Sequence, residues 1–240
     1  MIDHIKPENV LFLDIETAPQ YPDYESLPDI WKELWNVKSK FLQQKNEKTA
    51  EEIYHNAGIF AEFGKILCIS CGIIFNKSGV NYLRIKTFCH LDESHILLDF
   101  VNLLNTFYHT DSSYLCAHNG REFDFPYIAR RCVVHNIALP RLLNISGKRN
   151  WETKNLLDTL EMWKFGDQKH YISLELLSSV FGFGSPKSEM SGDEVAQTYW
   201  KEQNLEKIVH YCNRDVEAIA QIFLKYKREQ PLLTENIETK

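Results

Sequence analysis

Acidic residues occupy three separate stretches of the chain at spacings that favour convergence on one point. Asp14 and Glu16 end the apolar run VLFLDIE, and residues two apart on a strand project from the same face. Asp124 follows a short apolar segment at a predicted strand–helix junction, and Asp215 comes one helical turn after Tyr211. Four carboxylates at one point repel one another and resist ionisation without a cation. Oxygen ligands suit Mg²⁺ or Mn²⁺ rather than zinc.

Each of these acidic residues also has an ordinary structural interpretation. A D-x-E pair can lie at an exposed strand end, and the same pattern recurs at Asp215-Val216-Glu217. An aspartate at position 124 can cap a helix, and a tyrosine four residues before an aspartate fits any amphipathic helix. Two acids that leave an apolar strand together are costly, however, unless they are exposed, paired or bound to metal. The order of the three motifs along the chain is therefore the informative feature.

Apolar patterning predicts an α/β fold that positions these residues. Short apolar runs indicate strands, and apolar residues at helical spacing indicate helices. The predicted strands are 10–16, 66–75, 80–88 and 113–118, and the predicted helices are 92–109, 124–137, 173–182, 193–202 and 204–229. We expect one domain over residues 1–240, with a mixed, mostly five-stranded sheet flanked by helices. A helical insertion is expected at about 20–62, and a polar, frayed tail at about 231–240.

Composition is that of an ordinary globular protein, with 44% hydrophobic and 25% charged residues and a net charge of −6. The N-terminus lacks a signal-peptide pattern and no apolar stretch approaches ~20 residues, so we expect a cytoplasmic protein. Residues 130–187 carry nine Lys/Arg against five Asp/Glu, a local balance of +4. This balance is compatible with a short nucleic-acid contact and equally with a solvated surface. Cys68 and Cys71 form a C-x-x-C within an apolar run, which favours small core residues over a metal site.

Three motifs together resemble those of a known nuclease family. D-x-E at 14–16, N-x-x-x-F-D at 119–124 and Y-x-x-x-D at 211–215 are similar to the motifs of DEDD-type 3′–5′ exonucleases of the tyrosine subclass. Proofreading domains of B-family DNA polymerases and their stand-alone relatives belong to this subclass. The resemblance extends from about residue 10 to 226, whereas the long segment 20–62 departs from the compact proofreading form.

The resemblance implies an RNase H-like fold and a metal-dependent exonuclease. Such an enzyme hydrolyses single-stranded DNA from its 3′ end with two divalent metal ions, Mg²⁺ or Mn²⁺, and releases nucleoside 5′-monophosphates. Three alternatives stay open at this point. These are an RNA exonuclease of similar chemistry, as in relatives of ribonuclease D, an RNase H-like nuclease that cuts internally, and a non-catalytic module that binds nucleic acid.

The same resemblance assigns roles to the matching residues. Asp14 is expected to bridge both metal ions, Glu16 and Asp215 to complete the site that activates water, and Asp124 to hold the second ion. Tyr211 is expected to orient the attacking water, because an ordinary tyrosine pKa near 10 makes it a poor base at neutral pH.

Four further residues are candidates for binding the substrate. The resemblance implies that Thr17 helps to hold the 3′-terminal nucleotide and that Asn119 contacts the single strand. Phe123 could stack or pack beside that strand. Lys187 could reach a phosphate, with an ordinary surface lysine as the equal alternative. Since no polymerase segment accompanies these motifs, a polymerase or other repair factor would act as a partner in trans.

His210 raises the possibility of the histidine subclass, which uses H-x-x-x-x-D. Its spacing to Asp215 fits that pattern. Five residues on a continuous helix separate two side chains by about 140°, however, so His210 would point away from Asp215. Residues 204–209 contain no helix breaker, and the helix is expected to have begun before residue 210. The sequence therefore favours Tyr211.

Overall fold

Six strands form a single mixed sheet in the computed structural model, which describes residues 2–167, 171–183, 190 and 192–240. The strands are β1 (Val10–Pro19), β2 (Gly64–Lys77), β3 (Val80–Cys89), β4 (Tyr114–Ala117), β5 (Leu156–Asp158) and β6 (Ile237–Thr239). Their spatial order is β5-β4-β1-β2-β3-β6. β1, β2 and β3 are antiparallel neighbours, whereas β4 is parallel to β1, β5 to β4, and β6 to β3.

Helices pack on both faces of the sheet. They are α1 (Asp29–Lys38), α2 (Lys40–Asn46), α3 (Glu93–Phe107), α4 (Asp124–Val134), α5 (Thr159–Lys164), α6 (Leu174–Phe181), α7 (Val195–Gln197) and α8 (Leu205–Lys227). Alternation along β1 divides the core: Leu11 and Leu13 pack with α3 and α4, whereas Val10 and Phe12 pack with α8. Within the described ranges, no helix has the length and apolar character needed to cross a bilayer.

The α/β architecture with a mixed sheet and a helical insertion confirms the predicted fold class. The four predicted strands are present, and two more join them. β5 lies between the predicted helices 124–137 and 173–182, where no strand was predicted. β6 comes from the tail that was expected to be frayed, where Gln221 accepts a hydrogen bond from Leu232 N and donates one to Leu232 O, both at 2.9 Å. These contacts are long-range, so the local polarity of the tail does not reveal them.

Residues 193–202 do not form the regular helix that their spacing predicts. A 3₁₀ turn at Gly192–Glu194 leads into α7 and then into a π-helical turn at Thr198–Glu202. Within this wider turn, Trp200 Nε1 donates to Pro19 O at 3.0 Å. The ring centroids of Tyr199 and Trp200 lie 4.4 and 4.8 Å from Lys65 Nζ. The π turn thereby joins this segment to the end of β1 and the start of β2.

Cys68 and Cys71 are buried side chains of β2. They are three residues apart on a strand, so they face opposite sides of the sheet. Cys71 packs in the layer of α3 and α4, and Cys68 packs on the α8 side. Their interpretation as core residues is confirmed, because cysteines on opposite faces cannot share a metal ion.

The insertion between β1 and β2 has its own small core, in which Trp35 is fully buried and donates from Nε1 to Ala50 O at 2.8 Å. It rests directly on the end of β1, because a Cβ added at Gly58 would lie 3.0 Å from the carbonyl carbon of Ala18. The hydroxyl of Tyr127, on α4, donates to Gly58 O at 2.8 Å. The insertion is thus fixed to the strand that carries Asp14 and Glu16.

Candidate active site

β1 directs two carboxylates to the α8 side of the sheet. Asp14 and Glu16 follow Phe12 at alternate positions and therefore share its face. They pair across β2 with Ser70 and Cys68, and the register shifts directly after Glu16. Glu16 is only 8% exposed, so the strand delivers its carboxylate into the interior.

Close packing of α8 on the sheet brings the third motif to the same place. A Cβ at Gly72 would lie 2.7 Å from Val216 Cγ1, so only glycine at that position allows the helix to approach so closely. Val216 is the neighbour of Asp215, which is 8% exposed. The side chain of Asp215 interacts electrostatically with Asp14 and with Asp124. The helix thereby supplies a third carboxylate to the pair on β1.

Asp124 supplies the fourth carboxylate from the first turn of α4. It is 2% exposed, and its Oδ1 has no hydrogen-bond partner among the described residues. The N-cap residue of α4 is Phe123, and Asp124 is the first residue of the helix, so Asp124 does not cap it. Burial raises the pKa of Asp124 to about 8. Repulsion from Asp158 also raises this pKa, whereas hydrogen bonds from backbone N–H groups lower it.

The four carboxylates act on one another through a low-dielectric interior. Burial raises the pKa of Asp14 well above its ordinary value, and repulsion from Cys212, Asp215, Glu16 and Asp124 raises it further. Without a cation, part of this group must hold protons at neutral pH. A divalent ion would remove that penalty by neutralising the charges.

Tyr211 lies inside this group, whereas His210 lies outside it. α8 begins at Leu205, where Asn204 Oδ1 caps Lys207 N at 3.0 Å, so residue 210 is already on a continuous helix. His210 is exposed, and Tyr211 is 8% exposed. Burial is the main cause that raises the pKa of Tyr211. The negative charges of Asp215, Glu16 and Asp14 raise it further, as does a hydrogen bond with Asp215. The phenol is therefore held protonated.

The remaining predicted residues lie around the carboxylates in different settings. Thr17 follows the register shift of β1 and hydrogen-bonds to the Tyr127 hydroxyl. Asn119 adopts a left-handed conformation with φ 60°. Phe123 is half-buried, with its ring centroid 5.3 Å from that of Tyr127, so it packs against the core. Lys187 lies outside the described residues.

Asp158 is a buried carboxylate of the same region that sequence reasoning missed. It ends β5 and is 3% exposed. Its Oδ1 accepts from Asn119 N at 2.9 Å and its Oδ2 from Arg121 N at 3.0 Å, while Oδ1 also accepts from Leu160 N at the start of α5. Asp158 therefore holds the loop that leads into Asp124. A signal existed, because an acid directly follows the apolar pair Leu156-Leu157, as Asp14 follows an apolar run in β1.

Cys212 is a second residue that the motifs do not include. Its Sγ lies 3.2 Å from Asp14 Oδ2 and 3.4 Å from Asp14 O, and its single proton is shared between these two acceptors. Burial raises the pKa of Cys212, so the thiol keeps its proton and remains a donor. One ligand atom from each of Asp14, Glu16 and Cys212 lies within 4.8 Å of the others. Beside Tyr211 and Asp215 on α8, this thiol thus fixes the orientation of Asp14.

The residues present fit a divalent metal centre. The donors are mainly carboxylate oxygens, which are the ligands of Mg²⁺ and Mn²⁺. Asp124 Oδ1 is a buried acceptor without a hydrogen-bond partner among the described residues, and a cation would satisfy it. The raised pKa values of Asp14 and Asp124 also favour a bound cation, because its positive charge would stabilise both carboxylates in their ionised form.

Two comparisons show which known proteins this chain is similar to. Residues 59–239 match the family described as "Predicted 3′-5′ exonuclease related to the exonuclease domain of PolB". The chain is also 24% identical over 187 residues to a DNA polymerase of Thermococcus kodakarensis (strain ATCC BAA-918 / JCM 12380 / KOD1). That match covers 70% of this chain and 10% of the polymerase, so the chain spans about a tenth of its relative. The chain belongs to the family of predicted 3′–5′ exonucleases related to the exonuclease domain of PolB.

Proposed function

We propose that this protein removes nucleoside 5′-monophosphates from the 3′ end of single-stranded DNA with the help of two divalent metal ions, in the manner of the tyrosine subclass. The observation that carries the proposal is the convergence of Asp14, Glu16, Asp124 and Asp215 around the buried Tyr211. When bound, two such ions activate the attacking water and stabilise the leaving oxygen of a phosphodiester.

The carboxylates of this chain would hold the ions. Asp14, which interacts with each of the other three, would be the central ligand, and Glu16, Asp215 and Asp124 would complete the site. The Cys212 thiol holds Asp14 Oδ2 at 3.2 Å and so keeps that carboxylate in one orientation. A fixed ligand set reduces the reorganisation needed when the substrate arrives.

Tyr211 orients the attacking water by hydrogen bonding rather than by removing its proton. A phenol with a raised pKa keeps its proton and is a poor base at neutral pH; because that proton is donated to Asp215, the phenol oxygen can accept a hydrogen bond from the water. Its hydrogen bond with Asp215 directs the hydroxyl toward the carboxylates. The proton of the water therefore leaves through another group or through solvent.

The substrate end of the site is formed by Thr17 and the loop after β4. Thr17 is next to Glu16 and would contact the terminal nucleotide. Asn119, whose backbone is anchored on Asp158, would contact the strand. Phe123 supports this loop by packing on Tyr127, and Lys187 is proposed as a phosphate contact.

DNA is favoured over RNA by the relatives of this chain. The family description refers to the exonuclease domain of PolB, and the curated relative is a DNA polymerase. We therefore propose single-stranded DNA as the substrate and a polymerase or another repair factor as a partner in trans.

The test is a cleavage assay on 5′-labelled single-stranded DNA and RNA of equal length and sequence. The expected result is a ladder that shortens from the 3′ end of the DNA with Mg²⁺ or Mn²⁺ and no product with EDTA. The variant Asp14→Asn should lose at least about a hundredfold in rate. Asp99→Asn, at an exposed position on α3, is the matched control and should act as the wild type.

The other outcomes separate the competing functions. Faster shortening of RNA than of DNA would identify an RNA exonuclease. Internal cleavage products would identify an endonuclease. Binding without cleavage, or full activity in Asp14→Asn, would contradict the assigned chemistry.

A further inference from the structure

An apolar stripe runs along the outer face of the helical insertion. Ile30, Leu34, Val37 and Phe41 are 58%, 47%, 64% and 72% exposed. Their spacing of four, three and four residues places them on one face of a helix over roughly 16 Å. Exposed apolar side chains are common singly, but a continuous row of four marks an interaction surface.

The stripe is separate from the face that holds the insertion in place. Trp31 and Trp35 lie about 100° around the helix from the stripe, with ring centroids 5.4 and 5.2 Å from that of Phe63. α1 therefore has two apolar faces, of which only one packs within the described chain. The buried face already explains why the insertion folds, so the outer stripe needs a separate explanation.

α1 and α2 present the stripe as two helices joined by a bend at Ser39. Ser39 N donates to Trp35 O in the last backbone bond of α1, and Gln43 N donates to Ser39 O in the first of α2, both at 2.9 Å. Within the described residues, no i→i−4 bond from residues 40–42 joins the two helices, but Ser39 keeps near-helical backbone angles of φ −86° and ψ 0°. Ser39 Oγ also donates to Trp35 O at 2.7 Å, a contact that accompanies helix bending.

The stripe has the period of a coiled coil. Leu34 and Phe41 fall at a positions of a heptad, and Ile30 and Val37 at d positions. The flanking g positions are Glu33 and Lys40. Both are exposed, and neither forms an ion pair within the described part of the chain.

We propose that this stripe is the interface of a homodimer, in which α1 and α2 of two copies pack antiparallel about a twofold axis. In an antiparallel pair, a layers meet d layers and g positions face g positions. Leu34 would then meet Val37 of the second copy, Ile30 would meet Phe41, and Glu33 would face Lys40. Each contact occurs twice, as a twofold axis requires.

The charges select the antiparallel arrangement and the second copy as the occupant. A parallel pair would place g positions against the following e positions, so Glu33 would face Lys38 but Lys40 would face Lys45 of the other copy. The antiparallel pair instead gives two Glu33–Lys40 contacts between copies and no like-charge contact at the g positions. The stripe is thus complementary to itself in apolar layers and in charge.

The interface is small, and the association should accordingly be weak. Four side chains from each copy would bury on the order of 800 Å² in total, and their charged neighbours would add to this area. This is the low end of the range for specific interfaces, so the dimer should dissociate on dilution.

Sedimentation equilibrium of the full chain over a range of concentrations tests the proposal. The wild type should move from 28.2 kDa towards twice that mass as concentration rises. Val37→Glu should stay monomeric. Glu33→Lys and Lys40→Glu should each weaken self-association by roughly fourfold to thirtyfold, because both attractive contacts become repulsive. Lys77→Glu, an exposed reversal at the end of β2, is the control and should dimerise as the wild type.

Mixing the two single reversals gives the sharpest result. Glu33→Lys and Lys40→Glu chains should form a heterodimer with each other, since both contacts become attractive again. A wild type that stays monomeric at all concentrations, including one that binds a different protein through this stripe, would overturn the proposal. So would a dimer that Val37→Glu leaves intact, or a mixture of reversals that remains monomeric. The circular dichroism of each variant establishes that it is folded, and nuclease activity is not used as a readout.

Discussion

Replacement of Asp158 by alanine should destabilise the protein strongly although this residue is not among the four proposed metal ligands. The carboxylate accepts Asn119 N at 2.9 Å, Arg121 N at 3.0 Å and Leu160 N at 2.9 Å while it is 3% exposed. The two loop contacts are hydrogen bonds to a charged group, worth about 1.5–3 kcal/mol each. The cap of α5 adds about 1 kcal/mol.

Simple addition gives a loss of roughly 4–7 kcal/mol in the free energy of unfolding. Relief of the repulsion between Asp158 and Asp124 offsets part of this loss. We therefore expect Asp158→Ala to lower the free energy of unfolding by at least about 3 kcal/mol, which is large for one substitution. Activity should also fall under conditions in which the variant is folded, because the loop from Asn119 to Asp124 loses its anchor.

Urea unfolding of the metal-free protein at neutral pH, followed by circular dichroism, measures this change. Asp99→Ala on the exposed face of α3 is the control, with an expected effect within about 0.5 kcal/mol. If Asp158→Ala unfolds at the same urea concentration as this control, the hydrogen bonds of Asp158 do not hold the loop. The reasoning given for this residue would then be wrong.

Three further predictions concern the carboxylate group and its tyrosine. Tyr211→Phe should slow hydrolysis by about a hundredfold while His210→Ala stays within about twofold, and the reverse order in a rate assay would indicate the histidine subclass. The thermal midpoint of the metal-free protein should fall as pH rises from about 4 to 8. The reason is that folded Asp124, with a pKa of about 8 against an ordinary 3.8, keeps a proton that the unfolded chain releases. In scanning fluorimetry, the thermal midpoint of Asp124→Asn should fall less steeply with pH than that of the wild type. An equally steep fall would show that Asp124 is not its cause. Mn²⁺ should raise the midpoint more at pH 8 than at pH 6, and Asp14→Asn should reduce that gain.

Several elements could be predicted from the sequence because their signals are local. The apolar run before Asp14 determines a buried strand, and alternation puts Asp14 and Glu16 on one face. The absence of a breaker before His210 determines that the helix has already begun there, which separates His210 from Tyr211. In the structure, α8 starts at Leu205 and His210 is exposed, as that argument requires.

Other features depend on contacts between distant segments and leave little local trace. β6 exists because Gln221 and β3 hold a polar tail in place. The π turn at Thr198–Glu202 accompanies the contact of Trp200 with the end of β1. Local spacing predicts a frayed tail and a regular helix at these places, since it contains no information about the partner segment.

Periodicity and motif order predict the faces and the order of the site residues: two acids on the first strand, one at a strand–helix junction, and a tyrosine with an acid on the last helix. Whether these faces meet depends on the packing of distant elements. Gly72 lets α8 approach the sheet, Asp158 anchors the loop before Asp124, and Cys212 fixes Asp14. The physical reason is that periodicity sets the direction of a side chain within its own element, whereas the distance between two elements depends on packing between residues far apart in the chain.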